Sequence, residues 1–371
     1  MSSEGVFSLM ASAPAEIQEQ QTRVAPPPAV ARGRRARWWR RRGSQRRGFW
    51  YEDARGRRIT DEAALARIKA LVIPPAWREV RIAPGAHARL QAIGLDKSGR
   101  VQRIYHPSFV ARRARLKYEK IVRFGEQLGA LRRRTNEDIA RDDLSKARVL
   151  AVVIRLINDL YFRVGSESSV RRYRTYGVTT LRNRHLTIKR GGRLVFNFVG
   201  KHHIRQRRLL VDEDLATLMR DIQKLGGAKL FHYYDEEQKR AVPVRPRDVN
   251  DYIKAAAGAE FSAKDFRTWG GTLLAAVALA DMGAPADEQQ ARRNIVRAVK
   301  RVAERLGNTP SVCRNCYVHP CVLESYLAGV TLEEFRPRRA RRLIQRQQPE
   351  YSVEELALLK LLRAEKNGGA S

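Results

Sequence analysis

The stretch Leu306-Gly307-Asn308-Thr309-Pro310-Ser311-Val312-Cys313-Arg314-Asn315-Cys316-Tyr317 decides how this sequence is read. A long amphipathic run ends at a glycine, a polar amide follows, and a tyrosine stands nine residues beyond the amide. Alone, such a tyrosine reads as a packed aromatic after a helix end. Its surroundings argue for more. Lys plus Arg number 73 against 39 Asp plus Glu, a formal net charge of +34. A phenol among so many cations suggests a nucleophile aimed at a phosphodiester, because guanidinium groups favour the phenolate and also bind phosphate.

The same charge bounds the partner. An excess of this size strains a compact fold unless a polyanion neutralises it, so nucleic acid leads and a membrane surface comes second. The three cysteines, Cys313, Cys316 and Cys321, fall within nine residues and are odd in number, which fits a reducing cytoplasm rather than a disulfide framework. With His319 among them they resemble half a zinc site, yet no second CxxC or HxxxH pair closes four ligands, so no metal is expected. The best apolar run, Thr272 to Ala280, is too short to span a membrane and is followed by Asp281. Met1 to Ala15 has no basic residue and contains Glu4, which argues against a signal peptide.

Four segments are expected along the chain. Residues 1–45 read as a disordered basic arm, with Pro26-Pro27-Pro28, and with ten Arg and no acid between Gln21 and Trp50. Residues 46–106 read as a small β-rich domain. Gly48 to Ile59 looks like two short strands around a tip at Ala54 to Gly56, with a helix over Asp61 to Leu71 and strands around Val80, Leu90 and Val101. Residues 107–345 read as a larger, mostly helical domain with one good hairpin, 185–199, turning at Gly191-Gly192. Residues 346–371 read as a charged C-terminal tail, a charged helix with a frayed Gly-rich end. The fold class is α+β.

Breaking a phosphodiester without a metal needs an in-line nucleophile, cations on the non-bridging oxygens and a general acid for the leaving oxygen. A neutral donor can complete the oxyanion site. Tyr317 is the candidate nucleophile. His319, two residues on, would point elsewhere on a helix. Arg163, in Tyr161-Phe162-Arg163-Val164-Gly165, ends an apolar helical run, where an Arg must find an anion or snorkel out. Lys201, in Phe198-Val199-Gly200-Lys201-His202-His203, follows the hairpin, where Gly200 lets the lysine reach into a groove. That spot fails as a phosphate-binding loop, since Val195 holds the required earlier Gly position and His202 replaces Ser or Thr. Arg267 stands in Lys264-Asp265-Phe266-Arg267-Thr268-Trp269-Gly270-Gly271, with Lys264 on the same face if the segment is helical.

These blocks, in this order, resemble the catalytic segments of type IB DNA topoisomerases, especially the short bacterial and poxvirus-like members. The resemblance covers roughly residues 46–345. It implies that Arg163 and Arg267 are paired catalytic arginines on the phosphate, that Lys201 is general acid to the leaving 5′ oxygen, and that Tyr317 attacks. Asn308 departs from the poxvirus and eukaryotic pattern, which has His there, and matches the short bacterial branch. Asn donates a hydrogen bond but shares no proton near neutral pH, so the role it implies is electrostatic. Gly99-Arg100-Val101-Gln102-Arg103-Ile104-Tyr105-His106-Pro107 resembles the DNA-contacting strand of the small domain, giving Gln102, Arg103 and Tyr105 as DNA contacts, with Lys264 a further one. Ile73-Pro74-Pro75-Ala76-Trp77 also resembles the bacterial branch.

The resemblance implies a monomeric C-shaped clamp on double-stranded DNA in the cytoplasm, at the nucleoid. It implies relaxation of supercoils through a 3′-phosphotyrosyl link, strand rotation and religation, without ATP, metal or cofactor. Two other readings stay open. A tyrosine recombinase shares the chemistry, but usually has His-x-x-Arg where this chain has Lys264-x-x-Arg267, and has a helical core-binding domain. A basic architectural protein with an inactive site is the other.

Overall fold

A computed structural model of the protein describes residues 38–336 and 350–368. The chain divides into two units, Met1–Lys117 and Tyr118–Ser371.

The first unit is an antiparallel five-stranded sheet with one helix. Its elements are β1 (Trp39–Ser44), β2 (Gly48–Glu52), α1 (Glu62–Ala70), β3 (Arg78–Ile82), β4 (Leu90–Leu95) and β5 (Val101–Tyr105), with sheet order β2-β1-β3-β4-β5. Asp61 caps α1 by accepting from the Ala64 amide. Ile68, Val80, Ile82 and Ala92 form a small core, with Trp39, Tyr51 and Trp77 packed against it.

The basic arm expected over residues 1–45 needs correcting at its end. Residues 1–37 lie outside the described residues, but Trp39–Ser44 is an interior strand, between β2 and β3. Its arginines are structural where they point inward. The Arg41 guanidinium lies 4.2 Å from the Phe49 ring centroid and donates to Pro74 O at 3.2 Å and Trp77 O at 2.7 Å. Arg67 of α1 stacks on Trp39 at 5.0 Å. The expected hairpin over 48–59 is also different. β2 pairs with β1, and only a single bridge, Glu52 to Arg58, closes the turn beyond it.

The second unit is mainly helical. The division between units falls within α2 (Pro107–Ile139). Then come α3 (Lys146–Leu160), α4 (Glu167–Tyr173), β6 (Leu186–Lys189), β7 (Arg193–Val199), β8 (Arg205–Val211) and α5 (Glu213–Lys224). β9 (His232–Asp235), β10 (Arg240–Pro243), α6 (Pro246–Ala257), α7 (Ala263–Ala280), α8 (Glu288–Leu306), α9 (Pro310–Cys316), α10 (Pro320–Leu327) and α11 (Val353–Gly368) complete it. β6, β7 and β8 form one antiparallel sheet, so the expected hairpin has a third strand, and β9 and β10 form a ribbon.

α3 is rich in Val and Ile, which have modest helix propensity. It is held by burial, with Val149 through Ile154 and Leu156, Ile157 and Leu160 all inside. Each such side chain contributes about 1.5–3 kcal/mol when fully buried. The charged C-terminal helix is present, but it is not a free tail. Ala357, Leu358, Leu359, Leu361 and Leu362 of α11 join the main core. Glu355, 4% exposed, accepts both terminal nitrogens of Arg132 at 2.7 and 2.8 Å and the Trp269 indole at 3.2 Å. Burial alone would push this carboxyl up, but Arg132 holds it below its usual range. Among the described residues, no helix is long and apolar enough to cross a membrane.

Candidate active site

The site is built on the C-terminal end of α8. The helix stops at Gly307, which takes the left-handed conformation with φ 62°. Carbonyls at such an end lack helical partners and carry the negative end of the helix dipole. Here three successive carbonyls are each met by a different arginine. Arg208 of β8 donates to Arg305 O at 2.7 Å, Arg267 of α7 to Leu306 O at 2.8 Å, and Arg163 to Gly307 O at 3.1 Å.

Arg267 is 4% exposed. Its second terminal nitrogen donates to Tyr161 O at 2.5 Å. Tyr161 is the left-handed cap of α3, with φ 56°, so Arg267 joins the ends of two helices. The Tyr161 ring fits because Gly270 has no side chain, as a Cβ there would lie 2.1 Å from Cε1. The start of α7 is fixed by Asp265, which accepts from Ser262 N at 2.8 Å and from Lys120 Nζ at 2.7 Å.

Arg163 was expected to end a helix. It lies instead three residues past the end of α3, in an extended stretch whose backbone carbonyl accepts from Val178 N at 2.8 Å. The left-handed cap at Tyr161 turns the chain so that Arg163 faces the end of α8. Arg163 Nη2 also donates to Asn308 Oδ1. Arginine has only donors, so the amide oxygen must face it. Asn308 Nδ2 is thereby turned away; it is buried with only the Cys313 thiol as a weak neighbouring acceptor, and Arg267 Nε is buried without a hydrogen-bond partner. Buried donors are nearly always satisfied, so these two under-used donors are candidates to meet an anion.

Tyr317 caps the C-terminus of α9, the short helix that Thr309 and Pro310 start directly after Asn308. Its backbone carbonyl accepts from Thr272 Oγ1 at 3.3 Å. Gly271 admits it closely, because a Cβ there would stand 2.7 Å from that carbonyl oxygen. The ring is 5% exposed, with the Arg267 guanidinium 5.2 Å from its centroid. Burial pushes the phenol up, but Arg267, Arg163 and Lys264 outweigh it and hold its pKa below the ordinary value. Beside it, burial pushes the Cys313 thiol up to about 11, against the pull of Arg267 and the neighbouring Asn308 amide. His319 is occupied elsewhere. It caps α10 by accepting from Cys321 N at 3.2 Å, and its ring lies 4.7 Å from that of Tyr118.

The structure thus brings Arg163, Arg267, Asn308 and Tyr317 together, with Lys264 acting on Tyr317 by charge. Lys201 stands on a separate element, the turn between β7 and β8, which is closed by Gly200 N donating to Ile204 O at 2.9 Å. In the first unit, Gln102 is buried and donates to Asp96 Oδ2 at 3.1 Å, so its amide supports the β4–β5 turn. Arg103 and Tyr105 lie on the opposite face of β5, where Tyr105 packs 5.2 Å from Phe109. Gln206 and Arg208 carry no motif that sequence reasoning recognises. Their alternation along Arg205-Gln206-Arg207-Arg208 is the available signal, since it sets residues 206 and 208 on one strand face.

Residues 106–338 match the family described as eukaryotic DNA topoisomerase I, catalytic core, and residues 48–96 match bacterial DNA topoisomerase IB, N-terminal domain. The chain is 31% identical over 268 residues to the DNA topoisomerase 1B of Acanthamoeba polyphaga mimivirus, covering 71% of this chain and 80% of that protein. It is 24% identical over 255 residues to the DNA topoisomerase 1B of Vaccinia virus (strain Copenhagen), covering 68% and 76%. Over 131 residues it is 32% identical to the DNA topoisomerase 1 of Daucus carota, covering 34% of this chain and 16% of that one. The chain belongs to the type IB DNA topoisomerase family. It is an enzyme of that class, and its substrate is DNA.

Proposed function

We propose that Tyr317 attacks a DNA phosphodiester in line and forms a 3′-phosphotyrosyl link, releasing a 5′ hydroxyl. Arg163 and Arg267 hold the non-bridging oxygens, and Asn308 Nδ2 donates the neutral hydrogen bond to the developing charge. Lys201 protonates the leaving 5′ oxygen. The cut strand swivels about the intact one, and the reverse attack reseals it. The phosphotyrosine retains the bond energy, so this cycle calls for neither a nucleotide nor a metal. Duplex DNA is bound by a monomer acting at the nucleoid, with Lys264, Arg103 and Tyr105 as further contacts. Gln102 contributes through the turn it supports.

One observation carries the reading. A buried phenol lies 5.2 Å from the guanidinium of Arg267, which is fixed together with Arg163 on the end of one helix. The test is supercoiled plasmid incubated with the protein in EDTA and then denatured. Relaxation and a covalent protein–DNA adduct are expected, and both are lost in Tyr317→Phe, which still binds duplex. A Tyr317→Phe protein that relaxes DNA overturns the assignment. Tyr326 is a poor substitute, since its hydroxyl is tied up between Asn294 Nδ2 and Gly283 O, both at 2.8 Å.

A further inference from the structure

The third arginine on the end of α8 has no part in that cycle. Arg208 sits on β8 opposite Phe196 of β7. Its Nη2 donates to Arg305 O at 2.7 Å and to Gln206 Oε1 at 3.0 Å, and its Nη1 returns to Arg207 O at 3.2 Å. Burial and the nearby charges of Arg305 and Arg267 all act against the cation, and lower its pKa. A guanidinium kept there against desolvation and two like charges is holding something in place.

What it holds is the hairpin that carries Lys201. Gln206 and Arg208 occupy one face of β8, two residues apart. Arg208 grips a carbonyl of α8. Gln206 fills the space beside Gly307, where a Cβ would lie 2.5 Å from its Nε2. Gln206 pairs across the sheet with Phe198, three residues before Lys201. The strand pair is therefore fastened to the helix end that also fixes Arg163 and Arg267.

We infer that Arg208 is a positioning residue for Lys201. By holding Arg305 O it sets the register of the lysine-bearing turn against the two phosphate arginines. The coupling stands apart from the proton Lys201 handles, but the step it serves rests on the general-acid reading above.

The experiment is single-turnover cleavage by the full-length protein of a duplex carrying one scissile site, made with an ordinary 5′ oxygen or with a 5′-bridging sulfur. Four proteins are compared: wild type, Arg208→Met, Lys201→Ala and the double variant. Arg208→Met should cleave the oxygen substrate roughly tenfold to hundredfold more slowly, the scale of a small misplacement of a reacting group. The double variant should be no slower than Lys201→Ala alone. On the sulfur substrate, whose thiolate leaves without an acid, both single variants should return to near the wild-type rate. A wild-type rate for Arg208→Met, or losses that multiply in the double variant, overturns the inference. If Lys201→Ala stays slow on sulfur while the double variant is no slower, the general-acid reading falls and the coupling stands. If the Met variant does not fold, Arg208→Lys, whose single ammonium keeps the charge but cannot hold Arg305 O and Gln206 Oε1 as the fork does, runs the same cycle.

Discussion

Arg163 donates to the side-chain oxygen of Asn308, and this contact decides which end of the amide is left to act. The oxygen faces Arg163, and the nitrogen stays buried with only the Cys313 thiol as a weak neighbour. Asn308→Asp should therefore be at least as inactive as Asn308→Ala. The aspartate would accept from Arg163 but has no donor to give, and it adds negative charge where charge develops. Losing one such donor costs on the order of 10²-fold in cleavage rate. Asn308→His should keep substantial activity, because a neutral imidazole accepts on one nitrogen and donates from the other. Single-turnover cleavage with all three variants is the check, and equal loss in His and Ala would show that donation is not the role.

The lowered pKa of Tyr317 can be read in the free protein. One of the twelve tyrosines should form tyrosinate, seen by ultraviolet absorbance, below the ordinary ~10. Tyr317→Phe should remove that early titration. Arg267→Met removes the strongest lowering influence and should move it upward. Because the folded pKa lies below the unfolded one, the phenolate's contribution to stability is present at alkaline pH and is lost as pH falls through the folded value. Neutral-pH stability should then be unaffected by Tyr317→Phe beyond its lost contacts. A titration that Arg267→Met leaves unmoved would disconnect the two residues.

Gly271→Ala places a methyl 2.7 Å from Tyr317 O and 3.0 Å from its Cβ. Overpacking of this kind costs about 1–3 kcal/mol. The backbone oxygen cannot retreat without moving the turn that holds the phenol. Cleavage should fall much more than duplex affinity, as measured by comparing single-turnover rates with equilibrium binding. A variant that loses both in proportion would place the damage in the fold at large.

Glu355 tests whether α11 belongs to the folded unit. Glu355→Gln leaves Arg132 with a weakened partner deep beside Trp269, and breaking a buried pair from one side costs about 3–5 kcal/mol. Replacing both members, Arg132→Met with Glu355→Leu, should recover much of that. Denaturant unfolding measures each. No loss in Glu355→Gln would mean that the C-terminal helix is dispensable.

The blocks that converge on the candidate site are legible in the sequence because each couples a distinctive residue to a local constraint, as with Arg267 ahead of two glycines and Asn308 directly after a helix-stopping one. Their assembly is not. The contacts of Arg163 with residues 307 and 308 span more than a hundred positions, and nothing local indicates that carbonyls of α8 receive three arginines. The 33-residue α2 is hard to read because its apolar positions are thinly spread among Arg and Lys. β1 is hidden for the opposite reason. A run of arginines signals a solvated arm by composition, while its period of two, with Trp39 and Arg41 turned inward, is too short to stand out. α11 resembles a tail because its charges are conspicuous and it stands at the chain end after a strongly basic stretch, yet Leu358, Leu359, Leu361 and Leu362 lie in the core.

Anchoring by backbone oxygens has a consequence for the charge itself. A carboxylate would hold a guanidinium as firmly, but would also cancel it, and an incoming phosphate would have to compete with a built-in rival. Arg267 is held by the carbonyls of Tyr161 and Leu306, and among the described residues no carboxylate pairs with it. Carbonyl dipoles fix direction while leaving the full positive charge unspent. The empty enzyme therefore keeps mutually repelling cations crowded at one helix end, and on the proposed function the DNA phosphate is the counter-ion that relieves them. Binding a short duplex should raise the melting temperature of the second unit, and should do so less once Arg267 is replaced by methionine.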